Sequence, residues 1–366
     1  MRSPRFLFLV AAGLVVALGA SPAAAQAPIK IGEINSYSGI GAPFTGPYKA
    51  GVEMAVEEIN AKGGVLGRKL EVLFRDDKGQ PAEAVKQAQE LVDLQAAKKL
   101  RGGLCHNLRY YPMVQQMRRM REAGDFGDIL VVQGTYSQDW MLYETDWNWR
   151  IDAEAGGALR AMGDIGSHWF DMAEHLTGVR VRSLCADLQT FHPTRKRPKQ
   201  SIETFGGKLL AATDVEDTPV QTEDFGAVLF RMGERARGAM TASQVSAGRK
   251  NHLSIEIYGT KSSVSWNQER PDELWIGQRN SPNQVIVKNP SLMKKAAATY
   301  ADLPGGHSEG YDDTFKQIFR RFYTSIAEAH SPSEYPQMAD GLRQMRIMEA
   351  ELASHRNRSW VDLPDD

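Results

Sequence analysis

A run of short β-type segments with helical patterns on both sides constrains this fold more than any other feature of the sequence. Turn residues separate the segments, as Gly259-Thr260-Lys261 does between two of them. Strands in this order pair as antiparallel neighbours, and helices at the ends of the run can cover one face. The sequence therefore predicts an α+β domain with a large open, mostly antiparallel sheet packed by helices. The predicted strands are Val181–Leu188, Asp224–Met232, Arg237–Val245, Leu253–Tyr258, Ser262–Trp266, Glu273–Gly277 and Val285–Val287, and the predicted closing helices are Asp312–Ala329 and Met338–Arg356.

The first residues have the pattern of an export signal. Arg2 and Arg5 precede an apolar stretch from Phe6 to Leu18, and three alanines stand before Gln26. The apolar stretch is shorter than the ~20 residues that a membrane-spanning helix needs. We expect residues 1–25 to be a cleaved signal peptide and the mature chain to be periplasmic, with no stable membrane span. An uncleaved N-terminal anchor is the alternative.

Two βα units follow the signal and form a truncated βαβα segment. Ile29–Ile34 alternates apolar and polar residues, as a strand does. Pro47 suits the first turn of a helix, which Gly63-Gly64 would end. Lys69–Phe74 is a second predicted strand, and a second helix is predicted to start at Pro81.

The loop after the first strand contains a partial glycine motif. Gly39-Ile40-Gly41 supplies the first two glycines of a dinucleotide-binding fingerprint, but Phe44 occupies the third glycine position. A complete dinucleotide fold also needs more chain than precedes residue 100. The loop therefore does not predict a nicotinamide site.

Residues from about 28 to 93 resemble the opening of the branched-chain amino-acid-binding proteins, the periplasmic receptors of ABC transporters. The resemblance is carried by Ile29–Gly46, Gly51–Leu70 and Asp76–Pro81. It implies a receptor lobe that stops before the strands that hold the ligand, since the rest of that lobe and the second lobe have no counterpart.

Charge and cysteine content bear on two further questions, nucleic-acid binding and disulfide bonds. The chain has 44 Lys+Arg and 45 Asp+Glu, a net charge of −1, which argues against a nucleic-acid partner because such binding depends on a basic surface. The two cysteines, Cys105 and Cys185, allow at most one disulfide. Whether they form it is left open.

The strongest candidates for catalytic side chains lie in a helix predicted over Ala153–Leu176. Asp164, His168 and Asp171 are spaced i, i+4, i+7, and His175 extends the same face. A carboxylate one turn from an imidazole suits a general acid or base near neutral pH. A hydrogen-bonded histidine on a buried polar face is the alternative. No metal site is predicted, because four such residues on one helix form a line and not a closed shell.

The chain from about residue 100 to 362 resembles the C-terminal domain of the Gfo/Idh/MocA oxidoreductases. The resemblance is carried by six stretches, which are His106–Pro112, Gln138–Trp140, Thr145–Arg150, Gly163–Asp171, Ser246–Asn251 and Pro304–His307. The residues before Pro112 also predict a strand that leads into a helix, and Pro112 is predicted to open that helix.

The resemblance implies an NAD(P)-dependent hydride transfer at a carbon of a sugar or cyclitol. It implies that Asp164 and His168 are the catalytic acid–base pair. It also implies that the substrate pocket includes Arg109, Tyr110, Trp149, Arg150 and His307.

One departure from the family sets a further expectation. The chain has no Glu-Lys-Pro motif, which in the family supplies a catalytic lysine, and no complete glycine fingerprint before the catalytic domain. We therefore expect that this chain does not bind NAD(P) and that its activity is impaired. The expected parts are the signal peptide at 1–25, the truncated receptor-like lobe at 26–95 and the oxidoreductase domain at 96–366.

Three functional classes follow from these patterns. The first is an oxidoreductase-derived domain that binds a small polyol or sugar and forms a homo-oligomer through its open sheet. The second is an amino-acid-binding component of an ABC transporter. The third is an interaction module without catalysis.

Overall fold

A nine-stranded sheet with helices on one face dominates the protein. The computed structural model describes residues 27–35, 37–38, 42–76, 90, 93, 97, 101–199, 215–328 and 334–364. These residues fall into two compact units, one within residues 1–33 and 46–75 and the other within 34–45 and 76–366. The predicted signal peptide and most of the helix predicted from Pro81 lie outside the described residues.

The large sheet belongs to the second unit and confirms the predicted fold. Its strands are β3 (Ile129–Ser137), β4 (Val181–Gln189), β7 (Phe225–Met232), β8 (Ala236–Ser243), β9 (His252–Gly259), β10 (Ser263–Asn267), β11 (Glu273–Gly277), β12 (Gln284–Val287) and β13 (Val361–Asp362). They lie side by side in the order β12-β11-β10-β9-β3-β8-β7-β4-β13. Neighbouring strands are antiparallel except for β3 and β8, which run parallel. A separate pair, β5 (Thr194–Pro198) with β6 (Val215–Pro219), is absent from the sequence-based prediction.

Helices from three parts of the chain accompany this sheet. They are α2 (Pro112–Glu122), α3 (Ser167–Thr177), α4 (Tyr311–Ala327) and α5 (Met338–Asn357). Pro112 opens α2 as predicted, and Met113, Met117 and Met120 are buried. A 3-10 turn (Asn107–Tyr110) stands where the sequence predicts a strand.

The core lies between the sheet and α3. The Trp169 indole N–H donates to the carbonyl of Ser254 at 2.9 Å, and its ring meets Phe230 edge to face at 5.8 Å. Gly134 allows this contact, since a Cβ there would lie 2.0 Å from the Ser254 oxygen. A side chain at position 134 would therefore displace Trp169 from Ser254, and with it α3 and the polar residues that α3 carries.

The helix predicted over Ala153–Leu176 is interrupted. A single turn (Ala153–Gly156) ends at Gly157, whose φ of +89° is left-handed and stops a helix. A π-helical turn (Met162–Gly166) then leads directly into α3. The prediction of one continuous helix is therefore wrong at its N-terminal half.

The N-terminal part contains β1 (Ile29–Asn35), α1 (Ala42–Ala61) and β2 (Leu70–Asp76), with β1 beside β2 in a two-stranded sheet. Helix α1 begins five residues before Pro47, so the predicted start is wrong. The helix loses only the hydrogen bond that the Pro47 nitrogen would have donated. It ends before Gly64 as predicted, where φ is +79° and a Cβ would lie 2.0 Å from the Arg68 oxygen.

Two smaller points complete the fold. Cys105 is exposed, Cys185 is partly buried, and both are free thiols. Within the described ranges, no helix combines the length and the apolar character that a membrane span requires.

Candidate active site

The π-helical turn and α3 together set the direction of the predicted acid–base residues. Asp164 lies in the π turn, and His168 lies in the first turn of α3. The buried carboxylate of Glu223 holds the start of this segment, because it accepts from the backbone N–H groups of Arg160 at 2.9 Å and Met162 at 2.8 Å. The wider π turn changes the i, i+4 geometry between Asp164 and His168, and no hydrogen bond joins their side chains in the described part of the chain.

Each oxygen of Asp164 accepts a hydrogen bond from another side chain. Arg150 Nε donates to one oxygen at 3.1 Å, and Gln244 Nε2 donates to the other at 2.9 Å. The Arg150 guanidinium also lies over the ring of Trp149, 4.6 Å from its centroid. Three of the predicted site residues, Trp149, Arg150 and Asp164, thus meet at one place.

His168 contacts a second histidine instead of Asp164. Its Nδ1 lies 3.3 Å from His106 Nδ1, and the two rings meet edge to face with centroids 5.1 Å apart. His106 Nε2 faces Asp171 Oδ1 at 3.8 Å. Arg109 donates to both oxygens of Asp171, from Nε at 2.7 Å and from a terminal nitrogen.

Burial sets the charge states of this group. Burial lowers the pKa of His168, and the negative charges of Asp171 and Asp164 oppose that effect. Burial likewise lowers the pKa of His106 to about 4, against the pull of Asp171. Burial raises the pKa of Asp171, but Arg109 and His106 outweigh it and hold the value below its usual range. Near neutral pH the group therefore holds two neutral imidazoles beside one carboxylate that is paired with arginine.

Gln244 connects Asp164 to a buried network of ion pairs. Gln244 accepts from Arg160 at 3.0 Å through its Oε1 while it donates to Asp164. Arg160 and Arg195 both contact the Asp224 carboxylate, and all three side chains are fully buried. Because each end of the Gln244 amide has a partner, the side chain has one orientation, and Asp164 is fixed with it.

Two tyrosines lie within the electrostatic reach of Asp164. Burial raises the pKa of Tyr136, and Tyr311 and Asp164 raise it further. Burial raises the pKa of Tyr311 also, with contributions from Cys105 and Asp164. Tyr136 donates to Asn251 Oδ1 at 2.8 Å. Both hydroxyl groups remain protonated at neutral pH, and the proton of Tyr136 is already committed to Asn251.

The other predicted pocket residues form no described hydrogen bond with Asp164. Tyr110 is buried against Tyr300 and donates to the backbone oxygen of Glu334 at 2.8 Å. Arg109 is engaged by Asp171. His307 is exposed in the loop before α4, where its ring contacts the Gly305 oxygen at 3.4 Å. The described contacts do not connect His307 with either Asp164 or His168.

Sequence reasoning missed His106 and Gln244 as members of the site. His106 stands inside the His106–Pro112 stretch, but nothing in its spacing connects it with a helix 60 residues later. Gln244 directly follows β8, where a polar residue is ordinary. Among the described residues, no group of three or more His, Cys, Asp or Glu side chains has the geometry to hold a metal ion.

Fold and site together place a histidine and two carboxylates, carried by α3 and the π turn before it, beside a large sheet. A family model of the GFO/IDH/MocA C-terminal domain matches residues 114–265. D-xylose dehydrogenase of Paenarthrobacter nicotinovorans is 30% identical over 299 residues, which cover 78% of this chain and 69% of that protein. The chain belongs to the Gfo/Idh/MocA oxidoreductase family.

Other relatives agree with this assignment. Levoglucosan dehydrogenase of Pseudarthrobacter phenanthrenivorans is 30% identical over 270 residues, so the match spans 70% of this chain and 65% of that protein's length. A solved structure of levoglucosan dehydrogenase in complex with NADH and levoglucosan has a TM-score of 0.66 at 28% identity, over 77% of this chain and 71% of that one.

The N-terminal segment matches a different family, as its sequence predicts. A periplasmic binding protein domain model matches residues 29–109. A Leu/Ile/Val-binding protein homologue of Brucella abortus is 43% identical over 81 residues, which are 22% of this chain and 20% of that protein.

The expectation about the cofactor is corrected by these comparisons. Levoglucosan dehydrogenase structures that contain NADH align with 77% and 81% of this chain. The prediction that the chain does not bind NAD(P) is therefore wrong. The linked expectation of impaired activity has no support from these neighbours, since they extend over most of the chain.

Proposed function

We propose that this protein is an NAD(P)-dependent dehydrogenase that oxidises a hydroxyl group of a sugar or cyclitol. One observation carries the proposal: His168 has one ring nitrogen within hydrogen-bond distance of His106, while its other nitrogen, Nε2, forms no hydrogen bond with any described residue. Beside it, Asp164 is fixed by Arg150 and Gln244. The names of the relatives, levoglucosan dehydrogenase and D-xylose dehydrogenase, support a carbohydrate substrate.

The order of β1, α1 and β2 is compatible with a nucleotide. In dinucleotide-binding folds an acidic residue at the carboxyl end of β2 holds the ribose, beside the loop that follows β1. Asp76 ends β2 and accepts from the N–H groups of Tyr37 at 2.9 Å and Ser38 at 3.1 Å in that loop. Asp76 is thus the residue that would hold the ribose, although Phe44 replaces the third glycine. When bound, NAD(P)⁺ supplies the acceptor for the hydride.

The chain's own residues would bind the substrate and move its proton. Neutral His168 takes the hydroxyl proton at Nε2 as the O–H bond breaks. Arg150 and the hydroxyl of Tyr311 supply hydrogen-bond donors for the remaining hydroxyls of a sugar, while the hydroxyl of Tyr136, whose proton goes to Asn251, can accept one. The negative charges of Asp164 and Asp171 stabilise the imidazolium that forms, because an opposite charge nearby favours the protonated ring.

A spectrophotometric assay tests this proposal. The purified full-length protein is incubated with NAD⁺ or NADP⁺ and, in turn, levoglucosan, D-xylose and myo-inositol, and absorbance at 340 nm is followed. We expect reduction of the nicotinamide with at least one of these substrates. If neither NAD⁺ nor NADP⁺ is reduced with any of these substrates, the dehydrogenase proposal is rejected. The interaction module without catalysis would then be the remaining class for this domain.

The pH dependence of activity follows from His168. Its pKa is lowered by burial, against Asp164 and Asp171, and the neighbouring His106 is neutral near pH 7. As pH falls through this lowered pKa, His168 gains a proton and ceases to be a base. We expect kcat/KM to fall on the acidic side with a midpoint below 6.5, the ordinary value for histidine. A midpoint above 6.5 in a pH–rate profile would contradict this assignment.

A second candidate function concerns the N-terminal segment. The match of residues 29–109 to a periplasmic binding protein domain favours export and a receptor-derived lobe. We propose that residues 1–25 direct export, that 26–95 form this lobe and that 96–366 form the oxidoreductase domain. Mass spectrometry of protein from a periplasmic fraction tests the export, with Gln26 as the expected first residue.

Calorimetric titration with leucine and valine tests the receptor function, and the absence of heat with both would reject it.

The uncovered face of the large sheet is proposed as a homo-oligomer interface. Leu229 on β7 is 55% exposed and Val131 on β3 is 37% exposed, while Val228 and Phe230 point to the core. Exposed apolar sheet surface of this kind is commonly a contact surface between proteins.

Leu229→Asp is expected to convert the oligomer into monomers, because it replaces an exposed apolar side chain of this face with a charge. Light scattering coupled to size exclusion measures the mass. Leu292→Asp is the matched control, since Leu292 is 79% exposed and lies outside the sheet. A monomeric wild type, or an oligomer that tolerates Leu229→Asp, would contradict the proposed interface.

A further inference from the structure

The contact between His106 and His168 requires a defined arrangement of protons. The two Nδ1 atoms lie 3.3 Å apart, within hydrogen-bond distance, and the rings meet at 89°. A neutral imidazole carries one proton on one nitrogen and a lone pair on the other. One of the two Nδ1 atoms must therefore donate, and the other must accept.

Asp171 determines which ring donates. Its carboxylate lies 3.8 Å from His106 Nε2 and is fixed by two hydrogen bonds from Arg109. A negative charge in front of Nε2 favours a proton on that nitrogen. His106 Nδ1 is then the acceptor, so His168 must donate from Nδ1. The lone pair of His168 is left on Nε2, the nitrogen that forms no hydrogen bond with a described residue.

We propose that His106 is a positioning residue that holds His168 in the Nδ1–H tautomer and so makes Nε2 the base. The catalytic part of this inference rests on the proposed function. As the substrate O–H bond breaks, its proton forms a bond to His168 Nε2, and the hydride on the carbon that bears this oxygen would go to the NAD(P)⁺ of the proposed function, which leaves a C=O double bond. The positive charge then lies on His168, hydrogen-bonded to His106, with Asp171 beyond it.

The tautomer can be measured without any turnover. Protein labelled with [¹⁵N]histidine is studied by long-range ¹H–¹⁵N correlation, and the signals of His168 are assigned by their loss in His168→Gln. We expect Nδ1 of His168 to be protonated in the wild type and Nε2 to be unprotonated. In His106→Leu we expect the proton to move to Nε2, the commoner tautomer of a free imidazole. A wild-type His168 protonated at Nε2, or a tautomer unchanged in His106→Leu, would overturn the inference.

Kinetics of two variants test the consequence for catalysis. Leucine cannot accept a hydrogen bond from His168, whereas the side-chain oxygen of asparagine can. We expect His106→Leu to lower kcat about 10-fold or more with KM within about 2-fold, and His106→Asn to recover most of kcat. Equal losses in both variants would indicate a merely structural role and would overturn the inference.

The two proposals fail in different ways. An inactive wild type would reject the proposed dehydrogenase and leave the tautomer measurement as the test of His106. An active wild type with the Nε2–H tautomer would reject the role of His106 alone.

Discussion

Replacing His168 with glutamine is expected to lower kcat about 10²–10⁴-fold, the usual contribution of a positioned general base. Glutamine keeps a polar side chain of similar length next to His106 but cannot take a proton from the substrate hydroxyl. Because binding does not need this proton transfer, KM for the sugar should change much less than kcat. Steady-state kinetics at saturating NAD⁺ or NADP⁺ measure both constants.

The matched control for this variant is His355→Gln, in α5. His355 is partly exposed, and its ring nitrogen accepts from the backbone N–H of Leu188 at 3.1 Å. His355 contacts none of the proposed catalytic residues, so the activity of the His355→Gln variant should equal that of the wild type. A His168→Gln enzyme with wild-type kcat would remove His168 from the mechanism.

Replacing Asp224 with alanine is expected to destabilise the protein by about 3–5 kcal/mol, the usual cost of removing one partner of a buried ion pair. Asp224 lies between Arg160 and Arg195, and all three side chains are fully buried. Alanine would leave both guanidinium groups in the core without an opposite charge. Urea denaturation followed by tryptophan fluorescence measures the free energy of unfolding.

An exposed ion pair provides the comparison. Arg235 and Asp128 lie 3.2 Å apart with both side chains largely exposed. Pairs of this kind contribute about 0–1 kcal/mol because solvent screens them. Asp128→Asn should therefore have a far smaller effect than Asp224→Ala. If the two variants unfold at the same urea concentration, the buried network does not stabilise the fold as argued.

The strands were predictable because their side chains alternate between core and solvent. β7 shows this pattern, with Val228 and Phe230 buried and Leu229 exposed between them. The position of β3 was not predictable. It pairs in parallel with β8 and antiparallel with β9, more than 100 residues later. Such pairings are decided by tertiary packing, and local periodicity carries no information about them.

The site was predictable only as far as one helix carries it. Asp164, His168 and Asp171 are close in sequence, so helical spacing predicted that they share one helix face. The π turn altered the contact between the first two. His106 and Gln244 reach the site from other segments through the folded sheet and α3. No pattern in a single sequence shows that these segments meet.

The cofactor prediction failed because it depended on the absence of motifs. A missing Glu-Lys-Pro and an incomplete glycine fingerprint describe sequence, whereas solved structures that contain NADH align with most of the chain. The absence of these motifs was therefore weaker evidence about cofactor binding than structural similarity over most of the chain.

Direct transfer of deuterium tests the central claim that this chain moves a hydride from a sugar carbon to a nicotinamide. The protein is incubated with NAD⁺ or NADP⁺ and with D-xylose or levoglucosan that carries deuterium on every carbon. The reduced nicotinamide is then analysed by mass spectrometry. The account predicts one deuterium in the reduced nicotinamide, formed by the wild type and lost with His168→Gln. A nicotinamide that stays oxidised, or is reduced without deuterium, would contradict it.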